Sequence, residues 1–168
     1  MCDPTSFIGS ISYLDETGNE TNQTAIRTAD ELRGAIQERG KTRLRIEGNY
    51  SGADLSGLDL SGCDLTNIHL KEASLQNANL TGANLQDAAL SGAYLSGAIF
   101  ARADLQRAGM AWVVGPGADF TQADLRYATL YAAELPGAGF GEAELAYCNM
   151  NGSKMLGASF AGAHMDGA

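Results

Sequence analysis

The sequence predicts a repeat fold whose chain turns a corner every five residues, preceded by a segment outside the repeat. Three observations carry this. Every fifth residue from Leu55 to Met165 is Leu, Phe or Met, with one exception at Gly115. The residue two before each of these centres is nearly always Ala, as at Ala53, Ala73, Ala78, Ala83 and onward to Ala163. A period of five fits neither the 3.6 of an α-helix nor the 2.0 of a flat strand. One such repeat cannot bury its apolar residues alone, so the repeats must stack into a continuous core.

The most regular stretch, Ala78-Asn79-Leu80-Thr81-Gly82-Ala83-Asn84-Leu85, has the form A-(D/N)-L-(S/T)-x and resembles the pentapeptide repeat family. The resemblance implies an all-β solenoid, a right-handed quadrilateral β-helix with four repeats per coil. In that family the centre and the small residue two before it point inward and the other three residues point out. The expected organisation is an N-terminal capping segment over 1–47 and the pentapeptide-repeat β-helix over 48–168. The open end of a solenoid exposes core side chains and strand-edge amides, which is the reason for a cap.

Within 1–47 the elements read as strand, helix, strand. Phe7 to Leu14 alternates loosely like a strand, and Asp15-Glu16-Thr17-Gly18-Asn19-Glu20 is turn chemistry. Thr28-Ala29-Asp30-Glu31 has the form of a capping box opening a helix, with Gly40 as its stop. Leu32 and Ile36 share a face of that helix with Ala29 and Ala35. Leu44 and Ile46 alternate with charged residues in a short strand that feeds the first coil.

One stretch departs from the rule. Ala111-Trp112-Val113-Val114-Gly115-Pro116-Gly117 keeps the count of five but puts Gly115 where a Leu should fill the core. An unfilled Leu site costs ~2–5 kcal/mol, so Val113, or Trp112 turned inward, is expected to occupy the space. Pro116, with Pro136 in the same column one coil later, removes an amide, and a bulge or local opening is expected here.

The chain has 168 residues and a net charge of −9, which argues against direct contact with nucleic acid or an anionic membrane. No run of 18 apolar residues is present to span a bilayer, and no signal peptide is readable, so a cytoplasmic location is expected. Cys63 and Cys148 occupy inward small-residue positions about four coils apart, a separation of ~19 Å at one strand spacing per coil against a bridging limit of ~7 Å. Cys2 sits in an exposed start. No disulfide, zinc site, metal or cofactor is expected. His69 and His164 lie near opposite ends, the serines are repeat-position residues, and a filled, convex rod has no cleft, so no enzyme is expected.

Residues 20 apart stack, which sorts the outward residues into four sides. The side centred on Leu65, Leu85, Leu105, Leu125, Leu145 and Met165 carries Asp64, Asn84, Asp104, Asp124, Glu144 and His164 just before its centres, an acidic column. The next side, centred on Leu70, Leu90, Met110, Leu130 and Met150, has none there but has aromatic edges: Arg107, Tyr127 and Tyr147 along one, Tyr94, Trp112, Val114 and Tyr131 toward the other. Arg, Tyr and Trp anchor protein interfaces. These seven residues are the expected partner site, with Asp64, Asp104, Asp124 and Glu144 steering or excluding partners by charge.

The expected function is a non-enzymatic protein-interaction scaffold whose partner the sequence does not name. The alternative is an acidic DNA mimic, since some members of the family bind DNA gyrase in place of DNA and protect it from quinolones. Residues 48–168 carry 12 Asp/Glu and 5 Lys/Arg, a net of −7. A duplex of the same ~28 Å length presents about 16 charges. A homodimer through the C-terminal end is also expected, because Phe160 and Met165 would otherwise face water beside unpaired strand edges.

Overall fold

The structure, a computed structural model, describes residues 9–14, 17, 19–38 and 43–168. From Asn49 the residue before each centre pairs in parallel with the residue twenty further on: Asp54 with Ser74, Asp59 with Asn79, Asp64 with Asn84, and so on to Glu144 with His164. Twenty residues are four repeats, so four corners complete one coil and the coils stack as a four-sided β-helix.

The backbone bonds explain the sequence pattern. The N–H of a centre donates to the next coil (Leu80 to Ile99, 2.7 Å), as does the N–H two residues later (Gly82 to Ala101, 2.9 Å). The small residue's N–H turns back to the preceding centre (Ala83 to Leu80, 3.0 Å), closing the corner. The ladder leaves over the N–H just after the centre, and the side chain just before the centre accepts it: Asp54 Oδ1 from Ser56 at 3.0 Å, Asn79 Oδ1 from Thr81 at 3.1 Å. Asp or Asn at that position therefore builds an Asx turn, and the turn selects the residue.

At every corner from 52 to 167 the second turn residue has φ between 53° and 73°. With the closing bond this is type II geometry, which wants Gly at that position and accepts Pro just before it. Pro116 and Pro136 occupy that preceding site, whose N–H the ladder does not use. The bonds continue past both, from Gly97 to Pro116 at 3.1 Å and from Gly117 to Pro136 at 2.9 Å. The bulge expected at Gly115-Pro116 is thus absent. The one departure among the described residues is the corner Met110–Val113, which lacks its closing bond.

Gly115 is filled from outside its own coil. A Cβ there would lie 2.9 Å from Leu95 Cβ and 3.0 Å from Leu135 Cδ2, so the leucines above and below close over the gap. Val113 is buried, whereas Trp112 points outward and is 60% exposed, contrary to the inward alternative.

Centres and small residues are buried from Ala53 to Cys148. Phe100, Phe120, Phe140 and Phe160 form one internal stack at centroid spacings of 5.0, 5.0 and 4.9 Å. Cys63 and Cys148 are buried, and burial pushes the Cys148 thiol up to about 11. Cys2 lies outside the described residues. The register starts one repeat earlier than the leucines suggest, because buried Tyr50 acts as a centre.

The N-terminal segment contains three strands and a helix: β1 (Gly9–Leu14), β2 (Glu20–Ile26), α1 (Ala29–Glu38) and β3 (Arg43–Gly48). The expected strand–helix–strand order therefore omits β2. The sheet order is β2-β1-β3, antiparallel throughout. β3 then pairs in parallel with the first acidic-side strand, Ile46 N–H donating to Asp64 O at 2.9 Å and Asp64 N–H to Leu44 O at 2.7 Å. Leu44 and Ile46 thus continue the core, and the three strands extend the acidic-side sheet. Glu20 begins β2 rather than ending a turn; Phe7, Ile8, Asp15, Glu16, Gly18 and Gly40 lie outside the described residues.

Thr28 caps α1 by accepting the Glu31 N–H at 3.1 Å, while Glu31 reaches back to the N–H of Arg27 (2.7 Å) rather than that of Thr28. Leu32 and Ile36 are buried beneath the helix. No helix among the described residues is long and apolar enough to cross a membrane.

At the other end, Met150, Met155 and Phe160 are half-buried, Met165 is exposed, and Leu156 is 88% exposed. The centre amides of these last repeats have no backbone acceptor among the described residues. A cavity of about 460 Å³ opens there between Tyr147–Asn151 and Gly167–Ala168.

Candidate interaction face

The seven aromatic-side residues separate into three groups. Arg107, Tyr127 and Tyr147 occupy successive corners between the acidic side and the second side. Arg107 forms a two-pronged pair with Asp87 (2.8 and 2.8 Å), and Tyr127 stacks on Tyr147 with centroids 5.3 Å apart and planes at 7°. The hydrogen bond to Arg107 holds the Asp87 carboxyl below the usual range. Across the second side, Trp112 meets Tyr131 edge to face at 5.8 Å and 89°. Tyr94 and Val114 lie one side further round, paired through the ladder on the third side. The structure brings Trp112 and Tyr131 together and Tyr94 and Val114 together; it keeps both apart from the tyrosine row.

Between the rows the second side is low. Its outward residues are His69, Ala89, Gly109, Thr129 and Asn149. Gly109 is not at a left-handed corner, and a Cβ there would meet nothing nearer than 3.9 Å. The fold does not require glycine at that place.

Backbone geometry marks the walls. Of the left-handed corner residues, twelve are Gly; Arg107, Trp112, Tyr127 and Tyr147 are among the twelve that are not. A bulky side chain in this region is an outlier, at a cost of ~1–2 kcal/mol relative to glycine. Trp112, Tyr127 and Tyr147 are nevertheless each 60% exposed, so no core burial offsets that cost. Trp112 also sits in the one corner without a closing bond.

The acidic column is largely satisfied within the chain. Asp64 lies 3.5 Å from Arg45, which also pairs with Glu20 at 2.7 Å. Asp104 accepts the side-chain amide of Gln86 at 2.6 Å and the backbone of Gln106 at 3.1 Å. Asp124 pairs with Arg126 at 2.6 Å; burial pushes its carboxyl up, but the hydrogen bonds from Arg126 bring it below the usual range. Glu144 contacts His164 at 2.8 Å. Among the described residues no group of His, Cys, Asp and Glu is arranged to hold a metal ion.

Sequence reasoning passed over Ile99 and Leu156, both exposed. Each stands at a position the repeat turns outward, which was the available signal. The expected end residues stand apart from the face: Phe160 is the last ring of the internal stack and Met165 is exposed beside it.

The pentapeptide repeats family model matches eight copies over residues 51–87, 83–113 and 116–140. No curated protein matches the chain. Among solved structures, the pentapeptide repeat protein Rfr23 from the cyanobacterium Cyanothece 51142 is 29% identical, with a TM-score of 0.54 over 55% of this chain and 64% of that one. The chain therefore matches less than two thirds of that relative. HetL, a pentapeptide repeat protein involved in heterocyst differentiation regulation in Nostoc sp. strain PCC 7120, is 27% identical over 67% of this chain and 68% of its own, TM-score 0.36. Full-length QnrB1, a plasmid-mediated fluoroquinolone resistance protein, is 19% identical over 69% and 67%, TM-score 0.38. With half the chain under the family model and a matching four-sided β-helix, this protein belongs to the pentapeptide repeat family.

Proposed function

We propose that the protein is a non-enzymatic, cytoplasmic interaction scaffold: a rigid rod, capped by residues 1–47, that presents its second side and the flanking aromatic rows to another protein. The observation that carries this is the placing of exposed Trp112, Tyr127 and Tyr147 at left-handed corners, where the fold alone favours glycine. Strain of this kind persists only where the surrounding structure holds it, and it clusters at functional sites. The test is affinity capture from the native cell with the full chain as bait. A protein retained by the parent and lost with Trp112→Ala and Tyr131→Ser supports the proposal. Retention that survives those changes but fails with Asp104→Asn and Asp124→Asn places the site on the acidic side instead.

Binding DNA gyrase as a DNA mimic is the weaker reading. The repeat region's net −7 is under half the charge of an equal length of duplex, and Arg126 and Arg107 stand directly in the acidic bank. Failure to alter gyrase supercoiling in vitro would remove it. A homodimer through the end that carries Phe160 and Met165 belongs to the same proposal, and it predicts a particle of twice 17.5 kDa by light scattering.

A further inference from the structure

We infer that the groove on the second side takes an amphipathic helix of the partner, laid along the rod with its basic flank toward the acidic side. This rests on the scaffold reading and specifies its ligand. Opposite sides of a filled β-solenoid lie at the ~10 Å spacing of packed sheets, so each side is about as wide, and a helix with side chains measures about 10–12 Å. The groove floor over four coils is Ala89, Gly109, Thr129 and Asn149, and its walls are Tyr127 and Tyr147 opposite Trp112 and Tyr131.

Repeat distances favour a helix over a strand. Coils succeed one another every ~4.8 Å, close to the helical pitch of ~5.4 Å, whereas same-side residues of a strand recur at ~6.8 Å. A stripe at i, i+3, i+4 and i+7 thus drops one side chain beside the aromatic residues of the three successive coils that carry Trp112, Tyr127 with Tyr131, and Tyr147, the arrangement of helix-in-groove recognition.

Charge sets the orientation. The bank formed by the acidic side and its corner carries six carboxylates (Asp64, Asp87, Asp104, Asp124, Glu144, Asp166) against two guanidiniums of its own, Arg107 and Arg126, and that of Arg45 on β3, 3.5 Å from Asp64. The opposite bank is nearly balanced, with Asp54, Glu72 and Glu134 against Lys71 and Lys154. A helix with Lys or Arg along one flank matches this asymmetry.

The experiment selects random 20-residue peptides displayed on phage against the full chain. Enriched peptides are remade synthetically and titrated by the fluorescence of Trp112, the only tryptophan. The expected peptides carry an apolar helical stripe and a basic flank, gain helical circular dichroism on binding, and bind at least ten-fold more weakly to Gly109→Arg. That substitution fills the floor at a site with room for a Cβ; if its melting curve shows misfolding, Thr129→Lys replaces it. Peptides with no helical period, peptides with acidic flanks, indifference to the floor variants, or no enrichment overturns the inference. Non-helical peptides that still need Trp112 and Tyr131 would sink the helix and leave the scaffold standing. Peptides indifferent to both aromatic residues would sink the two together.

Discussion

Restoring the repeat consensus at Gly115 should destabilise the protein. The missing leucine looks like a cavity in sequence, and filling a cavity ordinarily stabilises. In the structure a mere Cβ at residue 115 would stand 2.9 Å from Leu95 Cβ and 3.0 Å from Leu135 Cδ2. Leu135 can swing its methyl away, but Leu95 Cβ is fixed to a backbone whose N–H donates to Val114 O at 2.7 Å. The coils must part by a few tenths of an ångström, an overpacking cost of ~1–3 kcal/mol. Gly→Ala also stiffens the unfolded chain, which returns ~0.4–1 kcal/mol. Gly115→Ala should therefore lose about 0.5–2 kcal/mol and Gly115→Leu distinctly more. Urea unfolding, followed by Trp112 fluorescence and by circular dichroism, should show a lower midpoint at unchanged slope. Leu135→Val in the Gly115→Ala background should recover part of the loss, since it removes one of the two clashing atoms. A raised midpoint for Gly115→Leu would show that the site is empty after all.

Three other outcomes are expected. Gly9→Ala should cost at least ~1–3 kcal/mol by overpacking, since its Cβ would fall 2.6 Å from Tyr50 Cζ and 2.9 Å from Glu47 O; a thermal melt equal to the parent's would show that β1 does not dock there. Trp112→Gly should leave stability within about 1 kcal/mol of the parent, because relief of the left-handed strain, ~1–2 kcal/mol, offsets loss of the Tyr131 contact, ~0.5–1.5 kcal/mol; a loss above about 3 kcal/mol would make the tryptophan structural. Burial pushes the Tyr50 phenol up to about 12 from 10, so the fold holds the neutral form. That contribution is intact below pH 10 and lost as pH rises toward 12, up to about 2–3 kcal/mol. Tyr50→Phe should flatten that part of the alkaline stability profile, and an unchanged slope would contradict the burial.

The repeat was legible because two of every five positions face a core that accepts only one size class at each. Ala78 and Leu80 state the fold as fully as the coordinates do. The (D/N) position was visible in sequence, but its reason, the leftover N–H just after the centre, needed the ladder. Tyr50 was missed as a centre because an aromatic residue there fits only over the bare backbone of Gly9, forty-one residues away in sequence. β2 was missed because Glu20–Ile26 is polar and largely exposed, so no alternation betrays it; its strand character comes from pairing with β1. Pro116 and Pro136 misled for a local reason. They were read as losses to a ladder that never uses their position.

The same corner geometry separates what the fold asks for from what it merely tolerates. Type II corners reward glycine, and along the corner that follows the second side the chain complies at Gly52, Gly92 and Gly152 but not at Glu72, Trp112 or Ala132, of which only Trp112 is aromatic. Along the preceding corner it complies only at Gly167, after Asn67, Asp87, Arg107 and the stacked Tyr127 and Tyr147. The acidic column gives no such contrast, because Asp64, Asp104 and Asp124 each accept the N–H two residues on and so serve the corner itself. A carboxylate the fold already uses is poor evidence of a partner. An aromatic residue that the fold would exchange for glycine, left half in water beside an unneeded Gly109, is better evidence, and it lies on the second side.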